Sequence, residues 1–297
     1  MNIVICGANS HVGQNLLEHV LASDDLTAVA MVRSQQAAAG LPTSPRIRPV
    51  VVDYEDEVGL TQAFEAVDAV VHLAGVLFES RGSTYERANV ATTAAVAASA
   101  RAAGGAQLIF ISALGAASDS SNAYLRSKGE AEDLVRAAGL PGTILRTPML
   151  LGPGSAAASA LLRSASRSQT WVLGGGHQML RPLDLDDLSQ AILAAAQHPR
   201  EGVRTLELTG PVSIAQEALI RLMASMQGRS VRVRSIPVWL ASAFASVRHA
   251  LGAGGVSPAV IEVITAAERV TDNGDAALSI ELTPLDITLG KLIGTDP

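Results

Sequence analysis

Residues 1–17 read Met1-Asn2-Ile3-Val4-Ile5-Cys6-Gly7-Ala8-Asn9-Ser10-His11-Val12-Gly13-Gln14-Asn15-Leu16-Leu17. The apolar run predicts a strand, the small residues predict a turn, and the pattern that starts at Gln14 predicts a helix. A strand that turns into a helix in this way directs free backbone N–H groups and a positive helix end at one point. A pyrophosphate can bind there, so the stretch predicts a dinucleotide-binding unit.

Two glycines and one serine of this turn have separate expected roles. Gly7 permits the tight bend, and Gly13 lets the first helix lie close to the sheet. Ser10 stands where the usual pattern has its middle glycine, and its hydroxyl can bond a phosphate oxygen. Glycines also occur at ordinary strand–helix junctions for steric reasons, so the rest of the chain has to support the prediction.

Composition narrows the class of protein. Of the 297 residues, 48% are hydrophobic and only 3% are aromatic, which indicates an interior of Ala, Val, Leu and Ile as in helix-covered parallel sheets. The net charge of −6 gives no reason to expect a nucleic-acid partner. The single cysteine, Cys6, excludes an intramolecular disulfide and fits a reducing compartment. No secretory signal precedes the first strand and no apolar run reaches about 18 residues, so we expect a cytoplasmic protein.

Strands and helices alternate along the first half of the chain. Residues 26–32, 47–52, 69–75 and 107–111 predict further strands, and 60–66 and about 85–103 predict helices between them. This alternation is typical of an α/β fold with a Rossmann-type, doubly wound parallel sheet, whose ligands bind beyond the carboxyl ends of the strands.

Two charged residues follow predicted strands and bear on the choice of cofactor. At the end of the second strand an acidic residue would bind the ribose 2′-hydroxyl of NAD, whereas Arg33 can pair with the 2′-phosphate of NADP. Asp53 follows the third strand and can accept from an adenine amino group. The alternatives are a solvated arginine and a helix-capping aspartate. We expect NADP(H) to be favoured over NAD(H).

A serine, a tyrosine and a lysine form the candidate catalytic set. Ser112 ends the fifth predicted strand, and Tyr124 and Lys128 are four residues apart on one face of the next helix. A phenol exchanges protons near neutral pH only if a nearby cation favours its phenolate, which Lys128 can do. Ser112 can then hold the substrate oxygen. His72 is more simply explained as a packed strand residue.

The sequence resembles the short-chain dehydrogenase/reductase superfamily. The residues that carry the resemblance are Gly7, Ser10, Gly13, His72-Leu73-Ala74-Gly75, Asn89, Ser112, Tyr124 and Lys128. Segments 146–154 and 181–188 are similar to the extended and atypical branches, which include NmrA-like proteins. Segment 278–286 is similar to the tail of proteins related to the nucleotide-binding accessory subunit of respiratory complex I.

The resemblance implies roles for these residues. Tyr124 is the general acid/base, Lys128 lowers its pKa and contacts the nicotinamide ribose, Ser112 orients the substrate, and Asn89 supports a water relay. Asp184 stands where extended members commonly carry His, which argues against a sugar-nucleotide substrate. The predicted cofactor-binding residues are Gly7, Asn9, Ser10, His11, Val12, Gly13, Arg33, Asp53, Leu73, Ala74, Gly75, Lys128, Thr147 and Pro148.

The second half of the chain predicts a smaller lobe. We expect residues 1–154, rejoined by about 181–212, to form the NAD(P)-binding domain, and 155–180 with 213–297 to form a mostly helical substrate lobe over the cleft. Gly174–Gly176 predicts a hairpin loop. The pair Asp186-Asp187 predicts the cap of a helix over 188–197, and two carboxylates alone predict no metal site.

A basic, apolar stretch lies at 229–249. It carries four arginines and a histidine among Trp239, Leu240 and Phe244, which predicts an amphipathic helix. Such a helix either packs over the cleft with its arginines in solvent or lies on a membrane surface. We expect a monomer or homodimer that binds a small molecule.

Three functions fit these observations. The first is an NADPH-preferring oxidoreductase that acts on the carbonyl/hydroxyl pair of a small, apolar molecule with Tyr124 as acid/base. The second is a non-catalytic NADP(H)-binding sensor or assembly protein. The third is a sugar-nucleotide epimerase or dehydratase with bound NAD and a cationic clamp such as Arg181, against which Arg33 argues.

Overall fold

The computed structural model describes residues 1–80, 82–199, 201–250, 256–268, 270 and 272–294. The first part alternates strands and helices: β1 (Asn2–Cys6), α1 (His11–Ala22), β2 (Thr27–Val32), α2 (Gln35–Ala39), β3 (Ile47–Val51), α3 (Glu57–Ala63), β4 (Ala69–His72), a π-helical segment (Glu86–Ala91) that continues as α4 (Thr92–Ala102), β5 (Gln107–Ala113), α5 (Ala123–Ala137) and β6 (Gly142–Thr147).

The remaining elements follow in chain order: β7 (Leu150–Leu151), α6 (Ala156–Ala165), β8 (Gln169–Leu173), a 3-10 turn (Gly174–Gly176), β9 (Met179–Leu180), β10 (Leu183–Asp184), α7 (Leu185–Gln197), β11 (Val203–Glu207), β12 (Ile214–Ala215), α8 (Gln216–Met226), β13 (Arg232–Ile236), α9 (Val238–Ala250), α10 (Pro258–Thr265), α11 (Asp275–Leu278) and α12 (Leu285–Ile293). Within the described part of the chain, no helix is long and apolar enough to span a membrane.

Seven parallel strands form the main sheet in the order β11-β6-β5-β4-β1-β2-β3. The order reverses between β1 and β4, and this switch point is where ligands bind in such sheets. The predicted Rossmann-type α/β fold is confirmed. β4 ends at His72, so the backbone after it leaves the sheet earlier than predicted and runs past the switch point.

Aliphatic side chains bury both faces of this sheet. Ile3 and Ile5 point towards α1 and α7, whereas Val4 and Cys6 point towards α3, α4 and α5. Strands that are covered on both sides read as continuous apolar runs, which is what the sequence shows. Burial raises the pKa of the Cys6 thiol, which is therefore a packing residue.

A smaller lobe packs around a core of its own, formed by residues of α6, α8 and α12. It contains more strand than predicted. β8 pairs in parallel with β13, so the prediction of a hairpin at Gly174–Gly176 is wrong, since parallel neighbours need a long connection. The prediction of one helix over 229–249 is also wrong, because Arg232–Ile236 is a strand and the helix starts at Val238.

The chain returns to the first domain before it ends, unlike the predicted boundary at 213–297. Leu278 belongs to the core on the α1 and α7 side of the main sheet. Thr283 donates from its backbone N–H and its hydroxyl to Asp187, at 2.9 and 2.6 Å. α12 then packs into the smaller lobe. The tail therefore connects the two parts of the molecule.

The cap of α7 also differs from the prediction. Asp184 caps this helix by accepting from the backbone N–H of Asp186, and the helix begins at Leu185. Asp186 accepts from Asn15 and Lys291, and Asp187 accepts from Thr283. Both carboxylates thus fix neighbouring elements to α7.

Candidate active site

The turn after β1 lets the phosphates of a ligand come close to the protein backbone. Gly7 has φ +86°, which favours glycine, and a Cβ there would lie 3.3 Å from the Ala74 backbone nitrogen. A Cβ at Gly13 would lie 2.6 Å from the Ala8 carbonyl oxygen. The Ser10 hydroxyl caps α1 by accepting from Gly13 N–H at 3.0 Å, and its own proton remains available to a phosphate oxygen. The helix consequently starts at His11, earlier than predicted.

A cleft of about 200 Å³ lies beside this turn. Its wall brings together the predicted residues of the turn, the end of β2 and the segment after β4, and it is formed by Gly7, Asn9, Ser10, Val32, Arg33, Tyr54, Leu73, Ala74, Gly75, Val76, Ser83, Ala88 and Thr92. Among these described wall residues Arg33 is the only charged one, and it is exposed. The glycine turn and the start of α1 beside this cleft supply the backbone donors that bind a pyrophosphate in dinucleotide-binding folds.

Seven predicted cofactor residues lie outside this wall. Lys128, Thr147 and Pro148 line a neighbouring pocket, and Gly13 is buried in α1. Asp53 is exposed, and its carboxylate accepts from the backbone N–H of Glu55 at 3.0 Å, while the adjacent Tyr54 lines the cleft instead. His11 lines a neighbouring cavity of about 440 Å³ together with Asn9 and Lys291. Val12 packs against the core.

A second pocket, of about 220 Å³, holds the predicted catalytic residues. Asn89, Ser112, Tyr124 and Lys128 all line it, as do Thr147 and Pro148. Leu73, Gly75 and Val76 line both this pocket and the cleft, so the two are adjacent and share this backbone segment. The fold therefore brings together side chains from the π-helical segment, β5 and α5 next to the cleft.

Lys128 is nearly buried beneath this pocket. Its Nζ donates to the Ile111 carbonyl oxygen at 2.7 Å and lies 4.2 Å from the centre of the Phe110 ring. Burial lowers the pKa of Lys128 to about 7, partly offset by Glu132. A Cβ at Gly75 would lie 3.8 Å from this Nζ, so the ammonium group lies directly under the backbone shared by pocket and cleft.

Tyr124 stands in the first turn of α5, which Asn122 caps. Its ring packs against Tyr85, with the ring centres 5.7 Å apart. Burial, and next the neighbouring Tyr85, raise the pKa of Tyr124 to about 12. The expectation that Lys128 lowers this pKa is not met, because the ammonium group is directed at the strand carbonyl.

The Ser112 hydroxyl is engaged in a buried polar network. It donates to Glu132 at 2.7 Å, and Glu132 also accepts from Arg146 at 2.8 and 2.7 Å and from Arg136 at 2.8 Å. Burial alone would raise the pKa of Glu132, but hydrogen bonds from Arg146, Ser112 and Arg136 lower it overall. Because the Ser112 hydroxyl donates its hydrogen bond to Glu132, it can only accept a hydrogen bond from a substrate. This differs from the predicted role, in which Ser112 holds the substrate oxygen. The next residue, Ala113, also lines the pocket.

Asn89 fixes the backbone after β4. Its Oδ1 accepts from Val76 N–H at 2.8 Å, and its Nδ2 donates to the Val76 carbonyl and to the Ser127 hydroxyl, at 3.2 and 2.9 Å. These contacts hold the segment that separates pocket from cleft. The predicted water relay through Asn89 stays a prediction.

Some site residues were missed in the sequence. Tyr54 follows Asp53 directly, and Tyr85 precedes the helix that carries Asn89, yet neither forms a motif. Glu132 was detectable, because it lies four residues beyond Lys128 and therefore on the same helix face.

The chain belongs to the NAD(P)H-binding family, which matches residues 7–170. The predicted relationship to the extended and atypical short-chain dehydrogenases/reductases is confirmed by the relatives and structural neighbours below. The chain therefore has the domain of an NAD(P)H-binding, reductase-like protein.

Three relatives with known names show the range of the family. A ceramide reductase of Caulobacter vibrioides is 26% identical over 79% of this chain and 73% of its own length. A 4-hydroxy-2-methyl-3-oxo-4-farnesyl-3,4-dihydroquinoline-1-oxide ketoreductase of Stigmatella aurantiaca is 25% identical over 93% of this chain and 90% of its own. Subunit 9 of the NADH dehydrogenase 1 alpha subcomplex of Arabidopsis thaliana is 25% identical over 82% of this chain, which spans only 62% of that protein.

Two solved structures share the fold. The Citrobacter sp. triphenylmethane reductase complexed with NADP(H) superposes with a TM-score of 0.76, 17% identity and coverage of 98% and 99% of the two chains. MoeE5 in complex with UDP-glucose and NAD superposes with a TM-score of 0.76, 19% identity and coverage of 99% and 98%. Neighbours of this fold thus bind either dinucleotide.

Proposed function

We propose that this protein is an NADPH-preferring reductase that acts on the carbonyl group of an apolar molecule. The observation that carries the proposal is that the Tyr124 and Lys128 pocket lies next to the cleft beside the glycine turn and shares wall residues with it. A catalytic acid next to a nucleotide cleft is the arrangement that carbonyl reduction requires.

Side chains of the protein supply the proton for the carbonyl oxygen and hold the cofactor in place. Because its pKa is raised, the Tyr124 phenol keeps its proton at neutral pH and can donate it to a carbonyl oxygen. When bound, the nicotinamide supplies the hydride. Lys128 lies close enough to the shared backbone to hold a ribose hydroxyl.

Arg33 supports the preference for NADPH. It is the one charged side chain among the described residues of the cleft wall, and a guanidinium pairs well with a 2′-phosphate. We expect Arg33→Asp to weaken NADPH binding at least tenfold and to leave NADH binding nearly unchanged or improved. Calorimetric titration with both nucleotides measures this. A matched control is Arg48→Gln, an exposed arginine on β3.

Equal losses of NADPH and NADH affinity in Arg33→Asp would contradict the assigned preference. An unchanged NADPH affinity would show that Arg33 is a solvated residue at a strand end.

The proposed substrate class follows from the pocket wall. Leu73, Val76, Leu77, Ile111 and Leu150 contribute apolar side chains to it, and its described residues include no carboxylate. Two relatives are named for the reduction of molecules with long apolar parts, ceramide and a farnesylated quinoline oxide. The substrate therefore presents a carbonyl to Tyr124 with apolar groups around it.

The test is NADPH oxidation, followed at constant protein concentration with a panel of apolar ketones and aldehydes. The proposal predicts oxidation that depends on the carbonyl compound, saturates with its concentration and is lost in Tyr124→Phe. The fluorescence of bound NADPH gives a separate measure of binding in the same samples.

A non-catalytic NADP(H)-binding protein is the second candidate. The engaged hydroxyl of Ser112 and the raised pKa of Tyr124 favour it, as does a relative that is a subunit of a respiratory enzyme. This candidate predicts tight NADPH binding without oxidation by any compound of the panel. The two functions differ only in turnover, so the same experiment separates them.

A further inference from the structure

The smaller lobe has a charge that differs sharply from that of the rest of the chain. Segments 155–180 and 218–261 contain no Asp or Glu, although the chain has 28 acidic residues and a net charge of −6. The two segments carry the arginines Arg163, Arg167, Arg221, Arg229, Arg232, Arg234 and Arg248. Two segments of a chain with net negative charge therefore carry positive charges and no acidic residue.

The strands of this lobe place basic and aromatic side chains on one exposed face. β13 pairs in parallel with β8, and the register sets Arg234 beside Trp171 and Arg232 beside Gln169. Neighbouring residues of paired strands share a face of the sheet. Trp171 is 59% exposed, and both arginines are exposed as well.

The helix that follows β13 adds large apolar side chains that are exposed to solvent. Trp239 is 71% exposed, Leu240 is 49% exposed and Phe244 is 65% exposed. Exposed apolar groups of this size, grouped together, are uncommon on a protein surface that contacts only water. We call the face formed by Trp171, Arg232, Arg234 and these three residues of α9 the arginine–aromatic face.

We propose that the arginine–aromatic face docks the protein on a bilayer that contains anionic phospholipids. Tryptophan and phenylalanine insert at the level of the headgroups, and arginines bind the phosphates and carboxylates around them. The charge complementarity of the two acid-free segments selects this partner, because an anionic bilayer attracts their arginines and a neutral one does not.

The docking face is joined to the pocket. α9 packs against α10, whose Ala259 carbonyl and Glu262 carboxylate accept from Asn122 at 2.9 and 2.8 Å. Asn122 caps the helix that begins with Tyr124. Docking through α9 therefore brings a bilayer next to the element that borders the proposed acid. The proposal goes beyond the proposed function and does not require catalysis.

Both tryptophans of the chain, Trp171 and Trp239, lie on this face, so intrinsic fluorescence reports on it alone. The test adds vesicles of phosphatidylcholine, with or without phosphatidylserine, to the full chain and follows tryptophan emission and co-sedimentation. We expect binding and a shift to shorter wavelength with phosphatidylserine only, weakened by salt.

Two double variants and a matched control complete the test. Arg232→Gln with Arg234→Gln removes two charges, and Trp239→Ser with Leu240→Ser removes apolar groups; each is expected to weaken vesicle binding about tenfold or more. Arg48→Gln with Val58→Ser, at exposed positions of the first domain, is expected to change nothing. NADPH affinity, which is measured separately, is expected to stay the same in all three.

Absence of binding to phosphatidylserine vesicles by the unmodified chain would overturn the proposal, whether or not the variants fold. So would a concentration-dependent dimer that Trp239→Ser with Leu240→Ser abolishes, because the occupant of the face would then be a second copy. Equal binding to both vesicle types would remove the role of the arginines and contradict the proposal as well.

Discussion

At the scale of single residues, strand parity decides what Ser112 does. Leu108 and Phe110 belong to the core on the α4 and α5 side of β5, and side chains of a strand alternate, so Ser112 points to that side too. There it meets Glu132. The sequence predicts Ser112 at the end of a strand. The buried carboxylate that accepts its hydrogen bond lies 20 residues away on a helix, and only the tertiary packing brings the two together.

The first prediction concerns Ser112 itself. Ser112→Ala removes a buried hydrogen bond to a charged group, so the free energy of unfolding is expected to fall by about 1.5–3 kcal/mol. Turnover is expected to stay within a few-fold of the unmodified value, since the hydroxyl does not donate to substrate. Urea unfolding and steady-state kinetics measure the two effects, with the exposed Ser118→Ala as control.

A loss of turnover of a hundredfold or more in Ser112→Ala, with unfolding unchanged, would contradict this assignment. It would restore the substrate-orienting role that the resemblance implies.

The second prediction follows from the low pKa of Lys128. Its folded-state pKa is about 7 against 10.5 in an exposed lysine, so the unfolded chain binds more protons between these pH values. The cost of burying the charge is fully present below pH 7 and decreases as pH rises. Lys128→Met is thus expected to stabilise the fold most at pH 6, and the gain shrinks by at most about 1.4 kcal/mol per pH unit above 7.

Urea unfolding of the unmodified protein and of Lys128→Met is measured at pH 6 and at pH 9. The gain in the free energy of unfolding at pH 6 is compared with the gain at pH 9, because the contributions of the other titrating groups cancel in this comparison. A stabilisation that does not depend on pH would show that Lys128 keeps an ordinary pKa in the folded protein.

At the scale of secondary structure, one face of α5 serves both the pocket and the fold. Tyr124, Lys128, Glu132 and Arg136 recur every four residues and therefore lie along one side of the helix. The first two line or underlie the pocket. Glu132 joins α5 to β5 and β6, and Arg136 joins α5 to β11 through Thr205. The spacing of four residues predicted the pair Tyr124 and Lys128. Continued for two more turns, the same spacing leads to Glu132 and Arg136, but it does not predict that Arg146 on β6 bonds Glu132.

The third prediction tests this anchor. Glu132→Ala leaves the partly buried guanidinium of Arg146 without its carboxylate, and the free energy of unfolding is expected to fall by about 3–5 kcal/mol. Glu132→Gln keeps two hydrogen-bonding atoms and is expected to cost less. Thermal and urea unfolding compare the two, and Asp133→Ala, an exposed acid one residue further on, is the matched control.

Equal stability of Glu132→Ala and Asp133→Ala would show that the network contributes nothing net to the fold.

At the scale of the whole molecule, local sequence patterns were sufficient to predict the fold of the first domain. They were not sufficient to predict the fold of the smaller lobe. The central strands β1, β2, β4 and β5 are largely apolar runs separated by helices, and a parallel sheet is the arrangement that this alternation allows. The pairing of β8 with β13 spans some 60 residues and leaves no local signal. The return of Leu278 to the first core is equally non-local.

The same difference in scale applies to the site. Gly7, Gly13 and the Tyr124–Lys128 pair were predictable, because the first two follow from backbone geometry and the last two from helical periodicity. Tyr54 and the partners of Ser112 required the tertiary packing.

The most direct measurement follows a deuterium label from the C4 position of NADPH into the product alcohol by mass spectrometry. With an apolar carbonyl compound that supports NADPH oxidation, we predict one deuterium on the former carbonyl carbon, and in Tyr124→Phe a transfer rate lower by about 10²–10⁴-fold at unchanged NADPH affinity. Tight NADPH binding with no label transferred to any carbonyl compound, or transfer at the same rate in Tyr124→Phe, would contradict the account.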